Sequence, residues 1–209
     1  MAKLLLDAGC VSVNVKQPFK YTSGIYSPIY CDNRLLISDV KRRRKVLELW
    51  AKMIRAQKLS FDLVAGTAMA GIPHAAWISD LFSVPMIYVR PSSKEHGKKN
   101  KIEGTLKHGQ TVLVVEDLCS TGGSAIATVE AIKEAKGVVK DVTSIFSYGL
   151  ATAKENFENA HTAIHPLCTF STLIGIAVDD KLLPKEDADV ALEWAEDPQA
   201  WGEKHAPSA

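Results

Sequence analysis

An unbroken aliphatic run, Val112, Leu113, Val114 and Val115, is followed without a spacer by two acids, Glu116 and Asp117. Such a run fits a strand buried on both faces, as in a parallel sheet. Leu118, Cys119, Ser120, Thr121, Gly122, Gly123 and Ser124 come next, then Ala125, Ile126, Val129 and Ile132 at helical spacing. The order strand, acid pair, small hydroxyl- and glycine-rich loop, helix leaves few architectures open. A loop of this composition can aim several backbone N–H groups at one anion, and the helix N-terminus adds partial positive charge. Glycine lets the chain approach closely and take positive φ.

The acids narrow the ligand. A nucleoside triphosphate site would follow GxxxxGK[ST] and a dinucleotide site GxGxxG. Neither occurs: Gly66 and Gly71 have the first spacing, but Ile72 and Pro73 follow. Carboxylates beside the anion cradle would repel phosphate, so they should face hydrogen-bond donors, and vicinal sugar hydroxyls fit. The ligand implied is a phosphorylated ribose. The plainer alternative is an acidic turn capping an ordinary helix.

At 209 residues the chain suits one α/β domain with an appended element. A net charge of +1 gives no bulk attraction to nucleic acid or acidic membranes. A three-leucine run between Lys3 and Asp7 is too short for a signal peptide. The stretch 159–178 lacks charge but carries His161, His165 and Pro166, which argues against a membrane span. Cys10, Cys31, Cys119 and Cys168 form no CxxC pair and read as reduced thiols of a cytoplasmic protein. Cys119 is expected to pack beneath the loop rather than act as a nucleophile. His161 and His165 lie four apart in a strand-like segment, roughly 13 Å between them, and are not expected to bind metal.

Strand candidates fall at 61–65, 85–89, 111–115, 138–147 and 162–167, with helices predicted at 73–81, 126–136 and 154–160. This alternation predicts a doubly wound, mostly parallel five-stranded core sheet flanked by helices. Ligands in such sheets sit at the carboxyl ends of the strands. Ser38 or Asp39 can cap a long helix reaching about Gln57, with Val40, Leu47, Trp50 and Ile54 on one side and residues 41–45 as a solvated basic face. Residues 18–34 read as turns and short strands, and 184–201 as a helix. One domain is expected over 1–209, with an N-terminal hood over about 1–38 and a C-terminal helical segment over about 184–209.

Residues 90–104, among them Arg90, Lys94, His96, Lys98, Lys99 and Lys101, are rich in cations and nearly devoid of apolar side chains. They cannot build a core and are expected to form an exposed loop. Their charge suits a lid over a pyrophosphate, because ionic contacts strengthen when water is excluded.

Together these features resemble the type I phosphoribosyltransferases, and within them the orotate branch. Three signatures carry the resemblance: residues 112–125; Arg90 with Lys94, Glu95, His96, Gly97, Asn100, Ile102, Glu103 and Gly104; and Ser23, Gly24, Ser27, Pro28, Ile29, Tyr30, Asp32, Asn33 and Arg34. The first is shared by the whole group. The other two separate the orotate enzymes from those of purine salvage.

The resemblance implies transfer of a phosphoribosyl group from 5-phosphoribosyl 1-pyrophosphate to orotate with Mg²⁺, giving orotidine 5′-monophosphate in pyrimidine (UMP) biosynthesis. It implies that residues 120–124 hold the 5′-phosphate, that Leu118 and Cys119 belong to the same substrate-binding stretch, that Glu116 and Asp117 bind ribose hydroxyls, and that Ser120 also meets orotate. The turn 66–71 would present amides to pyrophosphate, and Arg90 would contact it. Lys94, His96 and Asp117 would be catalytic, with Lys94 and His96 acting across a homodimer. The metal would be held mainly by substrate, and neither nucleic acid nor membrane is implied as a partner. A purine or xanthine phosphoribosyltransferase, or a nucleic-acid-binding regulator of the same fold, are the alternatives. One orotate branch carries lysines at the positions of Thr22, Ala70 and Pro91, a Phe pair at Tyr30 and Cys31, and an arginine near Gly149. This chain has none of them and is similar to a second bacterial branch, so the resemblance assigns no side chain to the orotate carboxylate.

Overall fold

The computed structural model describes residues 1–21, 23–91 and 101–206. Helix α1 (Ala2–Asp7) leads into β1 (Val11–Val13), β2 (Phe19–Lys20), β3 (Tyr26–Ser27) and β4 (Ile29–Cys31). β1 pairs antiparallel with β4 and β2 with β3, making two small ladders apart from the main sheet. A short helix α2 (Leu35–Ser38) follows, then α3 (Val40–Ala56). Asp39 caps α3 by accepting from the Arg42 amide at 2.9 Å, as its sequence predicts. The buried stripe of α3 is Val46, Trp50, Ala51 and Ile54. Val40, expected on that stripe, is exposed, because it opens the helix before the core begins. The basic run is mostly solvated, but Arg43 stacks on Trp77 at 4.4 Å and is not part of a free charged face.

The core comprises β5 (Leu63–Thr67), α4 (Gly71–Phe82), β6 (Met86–Val89), β7 (Ile102–Glu103), β8 (Thr111–Cys119), α5 (Gly123–Glu134), β9 (Val138–Ser147), α6 (Ala151–Asn159) and β10 (Ala163–Thr169). The chain ends with α7 (Phe170–Asp179), α8 (Lys185–Glu196) and α9 (Pro198–His205). The main sheet has six strands in the order β10-β9-β8-β5-β6-β7. The five expected strands are parallel, and β7 adds an antiparallel sixth against β6. At two residues β7 is too short for any periodicity to reveal it.

Both faces of β8 are covered. Leu113 and Val115 join a core with Trp50, Ala75 and Ile78, while Val112 and Val114 pack with Val129, Ile132 and Phe157. Full burial of each such side chain contributes roughly 1.5–3 kcal/mol, which fixes the register of this strand. The chain runs outward from β5 to β6, returns to β8 on the other side of β5, and then proceeds outward to β9 and β10. The winding therefore reverses between β5 and β8, and their carboxyl ends form the crevice where such sheets bind ligands.

The N-terminal ladders are tied to this frame by side chains. Tyr21 Oη donates to the Ile29 carbonyl at 2.7 Å and meets Tyr148 Oη at 3.0 Å. Trp194 of α8 lies among Tyr21, Tyr148 and Phe170, at centroid distances of 6.4, 5.2 and 5.7 Å. Gly202 of α9 lies flat on β3: a Cβ there would stand 3.1 Å from both Tyr26 N and Tyr26 O. The single C-terminal helix expected over 184–201 is two helices. Asp197 caps the second by accepting from the Ala200 amide, and Pro198 occupies its first turn.

Candidate active site

β8 carries its strand geometry past the aliphatic run through Glu116, Asp117 and Leu118 to Cys119. Glu116 is buried and Asp117 is partly exposed, so the two acids present different faces to the crevice. Glu116 Oε1 accepts from the Asp117 amide at 3.0 Å. Burial, and then the neighbouring Asp117 carboxylate, push the Glu116 carboxyl well above the usual carboxylate range. That shift favours the protonated carboxyl, which can both donate to and accept from a hydroxyl. Thr67 Oγ1 at the end of β5 is buried with no well-formed hydrogen bond, yet lies near enough to Glu116 to favour its ionised form slightly.

Beyond Cys119 the chain turns through Ser120, Thr121 and Gly122 into α5. Gly122 caps the helix at φ 82°, with no side chain bonded to the helix end. The first amides of a helix have no partner within it, so this terminus is open to an anion. Thr121, Gly123 and Ser124 are exposed there. Asn156 Nδ2 donates to Thr121 O at 2.9 Å and Tyr148 N to Cys119 O at 3.0 Å, pinning the turn from behind. The side chains of Leu118 and Cys119 pack into the core, leaving only their main chain to serve the site. Burial raises the Cys119 thiol to about 11, which suits packing and not nucleophilic attack.

The turn 66–71 folds over the same end of the sheet. A Cβ on Gly71 would collide with the Val115 carbonyl, and one on Gly66 would meet Ile72 Cα at 2.9 Å, so both positions need glycine for close approach. The Ala68–Met69 bond is cis, and Met69 is exposed. Thr67, Ala68, Arg90, Lys101 and Ser124 line a cavity of about 150 Å³ between this turn and the start of α5. Arg90 pairs with Glu103 at 3.1 Å, and its amide donates to Lys101 O at 2.9 Å. A wider open groove of about 790 Å³ lies between α1 and α3, and none of the predicted site residues lines it.

Residues 37–161 match the model of the phosphoribosyl transferase domain family. The chain belongs to the phosphoribosyltransferase family. It is 50% identical to the orotate phosphoribosyltransferase of Coxiella burnetii, over 96% of each chain. Its fold is similar to that of orotate phosphoribosyltransferase from Aeropyrum pernix, with a TM-score of 0.73 and 28% identity over 85% of this chain and 97% of that one. UMP synthase of Leishmania donovani gives a TM-score of 0.76 and 28% identity, covering 92% of this chain, which spans 41% of that protein.

In this phosphoribosyltransferase the structure brings Glu116, Asp117, residues 120–124, the turn 66–71 and Arg90 to one crevice. Lys94 and His96 lie outside the described residues. His161 sits exposed in a turn at φ 48° and His165 pairs with Asp141 at 2.8 Å, so the two do not face a common ion. Among the described residues no group of three or more His, Cys, Asp or Glu side chains could hold a metal, and no helix is long and apolar enough to cross a membrane. Sequence reasoning missed Asn33 as a contact of the site: its Nδ2 donates to the Asp117 carbonyl at 2.8 Å across a separation of 84 residues. Thr67 and Lys101, which belong to the turn 66–71 and to the basic loop, also line the cavity.

Proposed function

We propose that this chain transfers the 5-phosphoribosyl group of 5-phosphoribosyl 1-pyrophosphate to orotate, giving orotidine 5′-monophosphate and pyrophosphate for pyrimidine biosynthesis. The observation that carries the reading is the acid pair and open helix terminus at the reversal point of the sheet, in a chain half identical to an orotate phosphoribosyltransferase over nearly its whole length. In this reading the amides of residues 120–124 receive the 5′-phosphate. Glu116 and Asp117 take the vicinal ribose hydroxyls, Glu116 as donor and acceptor. The turn 66–71 and Arg90 receive the pyrophosphate.

Departure of pyrophosphate leaves positive charge on the ribose ring and negative charge on the leaving group. Little covalent work falls to the protein, and catalysis is positioning plus stabilisation of separating charge. Asp117 stands where it offsets the ring charge, and Arg90 offsets that of the leaving group. Lys94 and His96 complete the leaving-group site, reaching it from the second subunit of a homodimer that acts in the cytoplasm. Mg²⁺ is usually held by one or two carboxylates together with substrate phosphates, and the partly exposed Asp117 at the end of β8 offers a donor of that kind. Asp117 is the carboxylate that would share it. When bound, the ion neutralises phosphate charge.

The test is loss of orotate absorbance on mixing protein, orotate, 5-phosphoribosyl 1-pyrophosphate and Mg²⁺. Turnover is expected with all four present and none without the sugar pyrophosphate. Turnover of guanine or xanthine with none of orotate would overturn the reading.

A further inference from the structure

An acceptor base must lie within a ring's width of the ribose it attacks, so it approaches the acid pair at the end of β8. Orotate carries a carboxylate, and the Asp117 carboxylate disfavours a second anion beside it. The site therefore needs a cation on the base side, with geometry that fits a planar carboxylate.

The tripeptide after β4 meets that need. Asn33 is 1% exposed and hangs the segment on the site by its 2.8 Å bond to the Asp117 carbonyl. Cys31 Sγ donates to Asn33 Oδ1 at 3.5 Å, which fixes the amide orientation. The next residue, Arg34, is splayed by Asp32: Nε donates to Oδ1 at 2.6 Å and Nη2 to Oδ2 at 2.8 Å. The Arg34 amide also donates to Asp32 Oδ1 at 3.1 Å, so one carboxylate holds both backbone and head group. A guanidinium has five N–H donors in a rigid fork, so this pairing leaves the Nη1 edge uncommitted among the described residues. The side chain is 62% exposed, and it follows directly on Asn33, whose bond to the Asp117 carbonyl sets this segment beside the crevice rather than on a remote surface.

We infer that Arg34 is the residue that recognises the carboxylate of the acceptor base, with Asp32 and Asn33 as positioning residues that aim it. This rests on orotate being the acceptor. An arginine already splayed and held by a neighbour loses little freedom on engaging a second carboxylate, and its paired donors match both carboxylate oxygens. A ring lacking the carboxylate would leave that edge unpaired, so the same contact selects orotate against uracil.

The experiment is steady-state kinetics of wild type, Arg34→Ala, Arg34→Lys and the double variant Arg34→Ala with Asp32→Asn, each varied in both substrates. Loss of a charge-assisted pair predicts a KM for orotate raised roughly 30- to 100-fold in Arg34→Ala, with KM for 5-phosphoribosyl 1-pyrophosphate within about threefold of wild type. Arg34→Lys keeps the charge without the fork and should fall between. The double variant leaves no unpaired acid behind and should match Arg34→Ala, which separates a lost contact from new repulsion. Inhibition by uracil should be unchanged in all of them. An orotate KM within threefold of wild type in a folded Arg34→Ala protein, or equal rises in both KM values, would overturn the assignment alone. A wild-type protein that consumed no orotate would overturn the proposed function and the assignment together.

Discussion

The turn after β8 and the hood meet at Asp117, yet they are built by opposite means. The turn is the end of a nine-residue strand whose residues 112–115 are at most 1% exposed, and it runs directly into a helix. The hood is a pair of ladders two and three residues long, held by Tyr21 on Tyr148, Asn33 on Asp117, and Gly202 on Tyr26. One half of the site is thus set by a core that would fold the same way with or without a ligand. The other is hung on a few polar contacts between residues distant in sequence. If the turn receives phosphate and the hood receives the base, as proposed, the two should fail differently: damage to the first removes catalysis, and damage to the second weakens binding of the base.

The largest expected effect falls on the rigid half. Asp117→Asn keeps the shape of the side chain and removes its charge. It should lower kcat/KM by about 10²–10³, the size seen when one preorganised electrostatic contact to a transition state is lost. Thermal unfolding should move by no more than a degree or two, since Asp117 is partly exposed and its carbonyl, which Asn33 uses, remains. A tenfold or smaller loss of kcat/KM would show that the acid pair does not carry the chemistry.

A pair of glycines tests the difference in stability directly. Gly122 and Gly24 have similar backbone angles, φ 82° and 90°. A Cβ on Gly122 would stand 2.9 Å from Phe157 Cε2, whereas one on Gly24 meets nothing within 4 Å among the described residues. Gly24→Ala should cost only the backbone penalty of about 1–2 kcal/mol. Gly122→Ala adds a steric conflict in a packed site and should cost about 2–4 kcal/mol. Urea midpoints at constant m would give both numbers, and equal costs would mean that the turn is no more tightly packed than the hood.

The same division governs what could be read from the amino-acid sequence. The run 112–115, the acids after it and the glycine loop are contiguous, so strand, cradle and helix are visible together. The capping of α3 by Asp39 was equally local. The helix α7 follows β10 with no turn between them, and its exposed side offers Ser171, Thr172 and Gly175 as weak polar markers, so the sequence does not set it apart from the strand. The break between α8 and α9 carried a signal in Asp197 and Pro198 that the apolar pattern alone overrode. Tyr21 and Tyr148 are 127 positions apart and Asn33 and Asp117 are 84 apart. Such pairs leave no mark on local composition, which is why the placing of the hood beside Asp117 needed three dimensions.

A smaller effect probes the tether itself. Tyr21→Phe keeps the ring in its aromatic cluster and removes the hydroxyl that donates to Ile29 O and meets Tyr148. One intramolecular hydrogen bond contributes about 1 kcal/mol, so KM for orotate should rise a few-fold. KM for 5-phosphoribosyl 1-pyrophosphate should stay at its wild-type value. Parallel changes in both constants would show that the hood and the turn after β8 move as one body.

Acid offers a way to loosen the core side while leaving the hood contacts alone. His74 of α4 is 1% exposed, its ring lies between Trp50 and Trp77, and its Nε2 has no partner among the described residues. Burial, and then the Arg43 charge, lower it to about 4 from an ordinary value of 6.5. The unfolded chain therefore binds the proton more readily than the folded one between those values. The sign follows: stability is highest above about pH 6.5 and falls as pH drops toward 4. Between pH 7 and pH 6 the loss is on the order of 0.5–1 kcal/mol, or a fall in melting temperature of roughly 1–4 °C for a chain of this size. His74→Gln should flatten that slope whatever it does to stability at pH 7. An unchanged slope would mean that the α3–α4 layer does not report on acid, leaving the hood as the half that yields first.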